Sequence, residues 1–487
     1  MGFVNNATNG FDAYTLLPLN LFVRMDITGK NSSGWNVTGW FYDGKFYPTT
    51  EELRALVSSP EFSPPLANID GNWTSTDPQG EPLEFDELPP PKLVSQGKRR
   101  FSLDEKEKYV EWMGFSFYST LSKDTGLSLF DVQFKGERII YELGLQEALT
   151  HYAGADPVVS GTTFLDTQAG FGAQVVPLVN GYDCPSYATY LNVSWDYLGA
   201  TILEQANSIC IFERETDYPL RRHTAHDGGS PPWYRYMSVT KNVQLVVRSA
   251  FSVGNYDFVL SYIFSLDGTI EVSVRASGYI QSAYFKGNEE YGFKIHDALS
   301  GSMHDHVLTF KADFDILGTK NSIQKVEFVP VTVEYVFIAF FIAFIPRKTN
   351  DTRYPWAKGK PRNTMKVQKS FIENEADSSL TWATNDAALY AIVNKDTPNR
   401  FGEYRGYRIK SCTYLFPPIP HHQLTYPHHS RHNPPHSPRL HEPPKRRPLR
   451  HLRPLHHPPK RHRAACRPRQ QRLRHFQSPS RLLQVLR

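Results

Sequence analysis

No apolar run in the 487-residue chain is long enough to span a bilayer. The strongest, Val336-Phe-Ile-Ala-Phe-Phe-Ile-Ala-Phe-Ile345, has ten residues, about half of what a membrane helix needs. The opening Met1-Gly-Phe-Val-Asn-Asn lacks the apolar stretch of a secretory leader, so a secreted form would start upstream of Met1. Cysteine is scarce, with only Cys184, Cys210, Cys412 and Cys466. Cys184 and Cys210 flank a strand-like run, and they either pair in an oxidising compartment or stand as two buried thiols. Long helical patterns are also scarce, which argues against a mainly helical fold. Acidic residues nearly vanish after residue 410: residues 411–487 hold 16 Lys/Arg and one acidic residue, Glu442. The formal net charge of +5 therefore averages two unlike segments, because residues 1–410 carry 38 basic and 48 acidic side chains. An acidic body suits cationic ligands better than nucleic acid. The basic segment, for its part, lacks the interleaved aromatics of a polyanion-binding tail.

What is abundant is aromatic: 13% of the residues, with 26 Tyr and 31 Phe, a composition that favours large packed sheets. Residues 1–90 read as a small α+β domain. In it Thr49-Thr-Glu-Glu52 makes a capping box ahead of Leu53-Arg-Ala-Leu-Val57, and 21–27 and 35–42 read as strands. Pro89-Pro-Pro91 and Lys98-Arg-Arg100 mark a linker over 91–100. From 101 to 410 strand signals dominate: 109–118, 241–251, 256–265, 269–277 and 304–314, with Asp267-Gly268 as a hairpin turn. The pattern predicts a mainly β protein, a large antiparallel β-sandwich preceded by the small domain. Residues 411–487 hold 12 of the 18 histidines and 15 of the 36 prolines. They are expected to be a disordered Pro/His/Arg-rich tail, since proline at this density removes backbone donors.

Three motifs carry chemistry. Tyr256 lies in Ser252-Val-Gly-Asn-Tyr-Asp-Phe258, where Asn255 and Asp257 are poor strand formers and Gly254 permits unusual backbone. A tyrosine in a strand is usually packing, but residues that break local preference often mark function. His304-Asp-His306 comes next, on a predicted strand. Residues two apart share a face, so both imidazoles can reach one metal ion, while Asp305 points away. Two ligands are too few for tight binding. Asp166, in Thr163-Phe-Leu-Asp-Thr167 ahead of a glycine-containing turn, is either a surface carboxylate or a general base. Six N-x-Ser/Thr sequons, at Asn6, Asn31, Asn36, Asn72, Asn192 and Asn350, point to a secreted glycoprotein.

Together these stretches resemble the copper amine oxidases, most closely the fungal members, over roughly 20–410. Asn255-Tyr-Asp257 is similar to the tripeptide whose tyrosine becomes topaquinone, and His304 and His306 to two copper ligands. Leu165-Asp166 resembles the catalytic-base motif, with Phe164 at the aromatic gate. Tyr152 matches the tyrosine that hydrogen-bonds the quinone. Cys184 and Cys210 match a family disulfide, and Asp313 and Asp315 part of a peripheral calcium site. The resemblance implies copper and a Tyr256-derived topaquinone as cofactors, with calcium as a further ion. It implies a primary-amine oxidase that turns amine and dioxygen into aldehyde, ammonia and hydrogen peroxide. It also implies a homodimer, without nucleic-acid or membrane partners. Secretion is the expected location, and peroxisomal relatives are the alternative.

The sequence departs from that family in two places. The residue-by-residue resemblance ends at Gly402-Glu-Tyr-Arg-Gly-Tyr-Arg-Ile409. The residues after it read like an out-of-frame translation, in which no strand with a third copper histidine is found. Residues 336–353 read as an insertion, from a retained intron or a genuine loop. A copper-poor, catalytically dead relative is therefore the alternative expectation.

Overall fold

Alternation of apolar and polar residues makes strands of most of this chain, and the longest belong to two antiparallel sheets. The structure, a computed structural model, describes residues 1–8, 13–77, 80–160, 163–168, 170–197, 201–227, 233–334, 361–378, 388–410 and 479–486. Met1–Tyr414 and Gln477–Arg487 form one compact unit, and the second, Leu415–Phe476, lies outside the described residues.

The first sheet has seven strands. Ser102–Asp104, Tyr109–Trp112, Phe115–Ser122, Gly126–Phe134 and Glu137–Tyr152 succeed one another as a meander; Thr163–Leu165 and His304–Phe314 both pair with Glu137–Tyr152. The second has eleven strands, among which Thr201–Glu215, Val243–Val253, Tyr256–Ser265 and Ile270–Gly278 lie side by side. One buried apolar cluster draws on both sheets, as a sandwich requires. Phe117 of the first stacks on Phe264 of the second at 4.5 Å between ring centroids, and Phe115 meets the same ring edge-on at 5.0 Å. The hydroxyl of Tyr262, fully buried, donates across the gap to the Leu127 carbonyl at 2.9 Å, so even this polar atom is satisfied.

The amino-terminal region has a four-stranded sheet of Gly2–Val4, Pro18–Asp26, Asn36–Tyr42 and Lys45–Tyr47, with the helix Thr50–Val57 after it. Thr49 caps that helix: its hydroxyl accepts from the Glu52 amide at 3.2 Å.

Two details differ from the expectations. The aromatic run 109–118 is a hairpin, turned at Met113-Gly114 with both residues at positive φ. The residues 411–487 are not structureless throughout: Pro479–Leu486 is a strand between Ile270–Gly278 and Tyr404–Lys410. Its Pro479 stands first, the one strand position where a missing N–H costs least. The rest of that segment, 411–478, lies outside the described residues, as does the insertion at 336–353 with its sequon at Asn350. Ser322–Glu334 and Pro361–Ile372 pair antiparallel in register from Ile323–Ile372 to Glu334–Pro361.

Candidate active site

The site forms where ends of the two sheets meet. Glu137–Tyr152 and His304–Phe314 pair with Tyr152 opposite His304 and Thr150 opposite His306. Strand alternation therefore puts Thr150, Tyr152, His304 and His306 on one face, while His151 and Asp305 are exposed on the other. Tyr256 is the first residue of its strand in the facing sheet.

Asn255 proves to be a turn residue. Gly254 and Asn255 form a two-residue hairpin loop, with Val253 paired to Tyr256 and Gly254 at φ 60°. The break in strand preference before Tyr256 thus has a local cause, a glycine at the first position of a tight turn. Gly278, opposite Tyr256, is needed for a different reason: at φ 93°, a Cβ there would fall 2.1 Å from the Asn255 carbonyl oxygen. Asp257 points to solvent.

The Tyr256 hydroxyl lies at the centre of the site. The Gln281 backbone N–H donates to it at 2.7 Å, the Tyr152 hydroxyl at 3.2 Å, and His304 Nε2 lies at 3.3 Å. His304 Nδ1 lies 3.0 Å from the Ser302 carbonyl, which can only accept. Its proton must therefore be on Nδ1, leaving the Nε2 lone pair free towards Tyr256. His306 Nδ1 is held by the Thr150 hydroxyl at 2.9 Å, while its Nε2 is buried without a partner. The imidazoles of His304 and His306 are 5.0 Å apart between centroids, and that of His306 is 4.9 Å from the Tyr256 ring. Burial and the neighbouring His304 lower the pKa of His306 to about 4, so it is neutral at physiological pH. Two imidazoles on one strand face, each fixed through its Nδ1, suit copper, and the orphaned His306 Nε2 is the atom a metal would satisfy. Among the described residues no third His, Cys, Asp or Glu joins them.

Asp166 comes directly after the short strand Thr163–Leu165 and is half-buried, its amide donating to the Ala148 carbonyl at 2.9 Å. Burial, then the charge of Glu147, push its pKa up to about 6. Burial, the Tyr256 hydroxyl and the Asp166 charge raise the pKa of Tyr152. Phe164 is 45% exposed and meets the Tyr152 ring edge-on at 5.7 Å. The structure thus brings together Tyr152, Phe164, Asp166, Asn255, Tyr256, His304 and His306.

Cys184 and Cys210 form a buried disulfide with Cα atoms 6.6 Å apart, which resolves the choice between a pair and two thiols. Asp313 and Asp315 do not share an environment: Asp313 is exposed, while Asp315 is buried and ion-pairs with Arg138 at 2.7 Å. Sequence reasoning missed Thr150, Gln281, Ser302 and Glu147. Thr150 was within reach, being two residues before Tyr152 on the same strand face; Gln281 and Ser302 act through their backbones, which carry no side-chain signal.

The two-sheet sandwich thus holds a partly buried tyrosine against paired imidazoles. A family model described as copper amine oxidase, enzyme domain, matches residues 102–431, and a domain of unknown function, DUF1965, matches 13–81. The chain belongs to the copper amine oxidase family. The first match continues beyond Ile409, where the residue-by-residue resemblance ends, into residues outside those described. The chain is 54% identical over 411 residues to the copper amine oxidase vicK1 of Bipolaris victoriae (strain FI3), an alignment covering 84% of this chain and 54% of that protein. Among solved structures it is similar to the Aspergillus nidulans amine oxidase, with a TM-score of 0.75 and 47% identity, and to the Pichia pastoris lysyl oxidase, with 0.73 and 37%. Each match covers 84% of this chain and 52% of the other. The chain thus spans about half the length of the relatives it matches.

Proposed function

We propose that the protein is a primary-amine oxidase that converts an amine and dioxygen to aldehyde, ammonia and hydrogen peroxide. The observation that carries this reading is the convergence of Tyr152, Gln281 and His304 on the Tyr256 hydroxyl beside the unpartnered Nε2 of His306. His304 and His306 would hold copper, and Tyr256 is the side chain to be oxidised to topaquinone. Copper and the quinone together supply redox chemistry with dioxygen and an electron-accepting carbonyl.

The chain's own residues supply the rest. Asp166, with a pKa of about 6, is ionised at neutral pH yet still basic enough to take a proton from the carbon beside the amine nitrogen. Tyr152, kept neutral by its raised pKa, holds the oxygen at the Tyr256 position with its O–H and restrains rotation of that ring. Phe164, half in solvent and edge-on to Tyr152, is placed to gate entry of the amine. Burial of the hydroxyl side of Tyr256 limits access of bulk water. Secretion is the location we favour: the Cys184–Cys210 disulfide belongs to oxidising compartments, and the sequon asparagines Asn6, Asn31, Asn36, Asn72 and Asn192 are exposed.

Loading the chain with copper in air and adding phenylhydrazine tests the reading. A coloured adduct mapped to Tyr256, absent in Tyr256→Phe, is expected. A copper-loaded wild-type chain that yields no adduct would overturn it.

A further inference from the structure

The amino-terminal region reaches into this site. Thr15 sits in the one-turn 3-10 segment Tyr14–Leu16, flanked by the fully buried Ala13 and Leu17 and itself only 2% exposed. Its hydroxyl oxygen accepts from the Asn255 side-chain amide at 2.7 Å. Its carbonyl oxygen accepts from both the hydroxyl and, at 3.3 Å, the backbone N–H of Ser282. Asn255 directly precedes Tyr256, and Ser282 comes directly after Gln281, whose N–H donates to the Tyr256 hydroxyl. A further bond, from the Tyr279 N–H to the Asn255 carbonyl at 2.8 Å, closes the two segments on each other.

We propose that Thr15 is a positioning residue for Tyr256, clamping together Asn255, which directly precedes that ring, and the Tyr279–Ser282 segment, whose Gln281 amide donates to its hydroxyl. The region matched to the domain of unknown function thereby completes the site. The turn at Gly254-Asn255 has only two residues, with Gly254 at φ 60°. The segment 279–282 has no strand partners of its own. Thr15 ties both to a buried anchor, so the Gln281 amide and the Tyr256 hydroxyl stay in register. The side-chain bond to Asn255 is the contact an apolar residue of equal size could not make, while the bonds from Ser282 use the backbone carbonyl and hold the same turn in place.

The consequence at the quinone rests on the proposed function, while the geometry does not, and the experiment separates the two. Hydrogen exchange is measured on the metal-free full chain as wild type, Thr15→Val, Thr15→Ser and Ser282→Ala. Thr15→Val should speed exchange at the Tyr279 and Gln281 amides about ten-fold, the scale of one lost buried hydrogen bond. Protection in Pro18–Asp26 and Glu137–Tyr152 should hold, and Thr15→Ser should behave as wild type. Ser282→Ala should speed Gln281 without affecting Asn255, and it decides the matter alone if Thr15→Val fails to fold. With copper and air, Thr15→Val should form the phenylhydrazine-reactive group more slowly than Thr15→Ser at equal copper content. Unchanged exchange at both amides in Thr15→Val, or in its absence at Gln281 in Ser282→Ala, overturns the proposal. So does a Thr15→Ser protein that behaves like Thr15→Val. A wild-type chain forming no such group refutes the proposed function while leaving the exchange result to judge Thr15.

Discussion

The two sides of the site are built differently. On the imidazole side, His304 and His306 sit on a strand paired along its whole length with Glu137–Tyr152, and each ring is tied through its Nδ1 to a fixed oxygen. On the carboxylate side, Asp166 adjoins a strand of three residues, and Phe164 and Leu165 beside it are 45% and 43% exposed. The first arrangement uses its hydrogen bonds to hold two nitrogens still. The second leaves its carboxylate in a partly open turn, steadied by Glu147, which accepts from the Thr167 hydroxyl at 2.5 Å and the Thr167 amide at 3.3 Å. Metal binding needs fixed geometry, whereas a gate and a proton acceptor must admit substrate. The difference in hydrogen bonding and exposure is what the proposed division of labour would require.

The contrast can be broken most completely on its rigid side. His306→Ala should abolish stoichiometric copper uptake, measured by metal analysis after dialysis, because one imidazole cannot hold the ion. Asp166→Asn should keep its copper and its phenylhydrazine-reactive group yet slow amine turnover by about a hundred- to ten-thousand-fold, the usual worth of a general base. Equal copper loss in both variants would erase the distinction between the two sides.

Smaller changes sharpen it. Thr150→Val removes only the bond to His306 Nδ1 and should weaken copper binding about ten- to hundred-fold, read by competition with a chelator. Glu147→Gln should leave copper untouched and act on the pH profile. Burial and the Glu147 charge both raise the pKa of Asp166, to about 6. In the proposed reaction the working form of Asp166 is the carboxylate, so kcat/KM should fall as pH drops through about 6 in the wild type. Removing the like charge lowers that pKa, so the acid limb should move to lower pH in Glu147→Gln. An acid limb that stays in place would show that Glu147 does not act on Asp166 electrostatically.

Much of the site was legible before folding. His-x-His on an alternating stretch must present both imidazoles to one face, whatever the rest of the chain does. The 304–314 and 256–265 strands were read at their observed ends. Asn255 misled in a useful way: it is where a turn residue belongs, and its value lies in a contact with Thr15 across 240 residues. The carboxy-terminal reading was too coarse, since averaging proline and histidine over 411–487 hid the short leucine- and valine-rich end that forms Pro479–Leu486.

What the sequence by itself determined is local and periodic: the strands, the hairpin at Asp267-Gly268, the capped helix after Thr49, and the shared face of His304 and His306. Each depends on residues within a few positions of one another. What only the tertiary structure decided is the meeting of the Tyr152, Tyr256 and His304 side chains and of the Gln281 amide. It also decided the burial that raises the pKa of Asp166, and the clamp by Thr15. These arise when two sheets stack and a distant turn seats beside them. Desolvation and long-range hydrogen bonds are properties of that packed arrangement, and no local pattern encodes them.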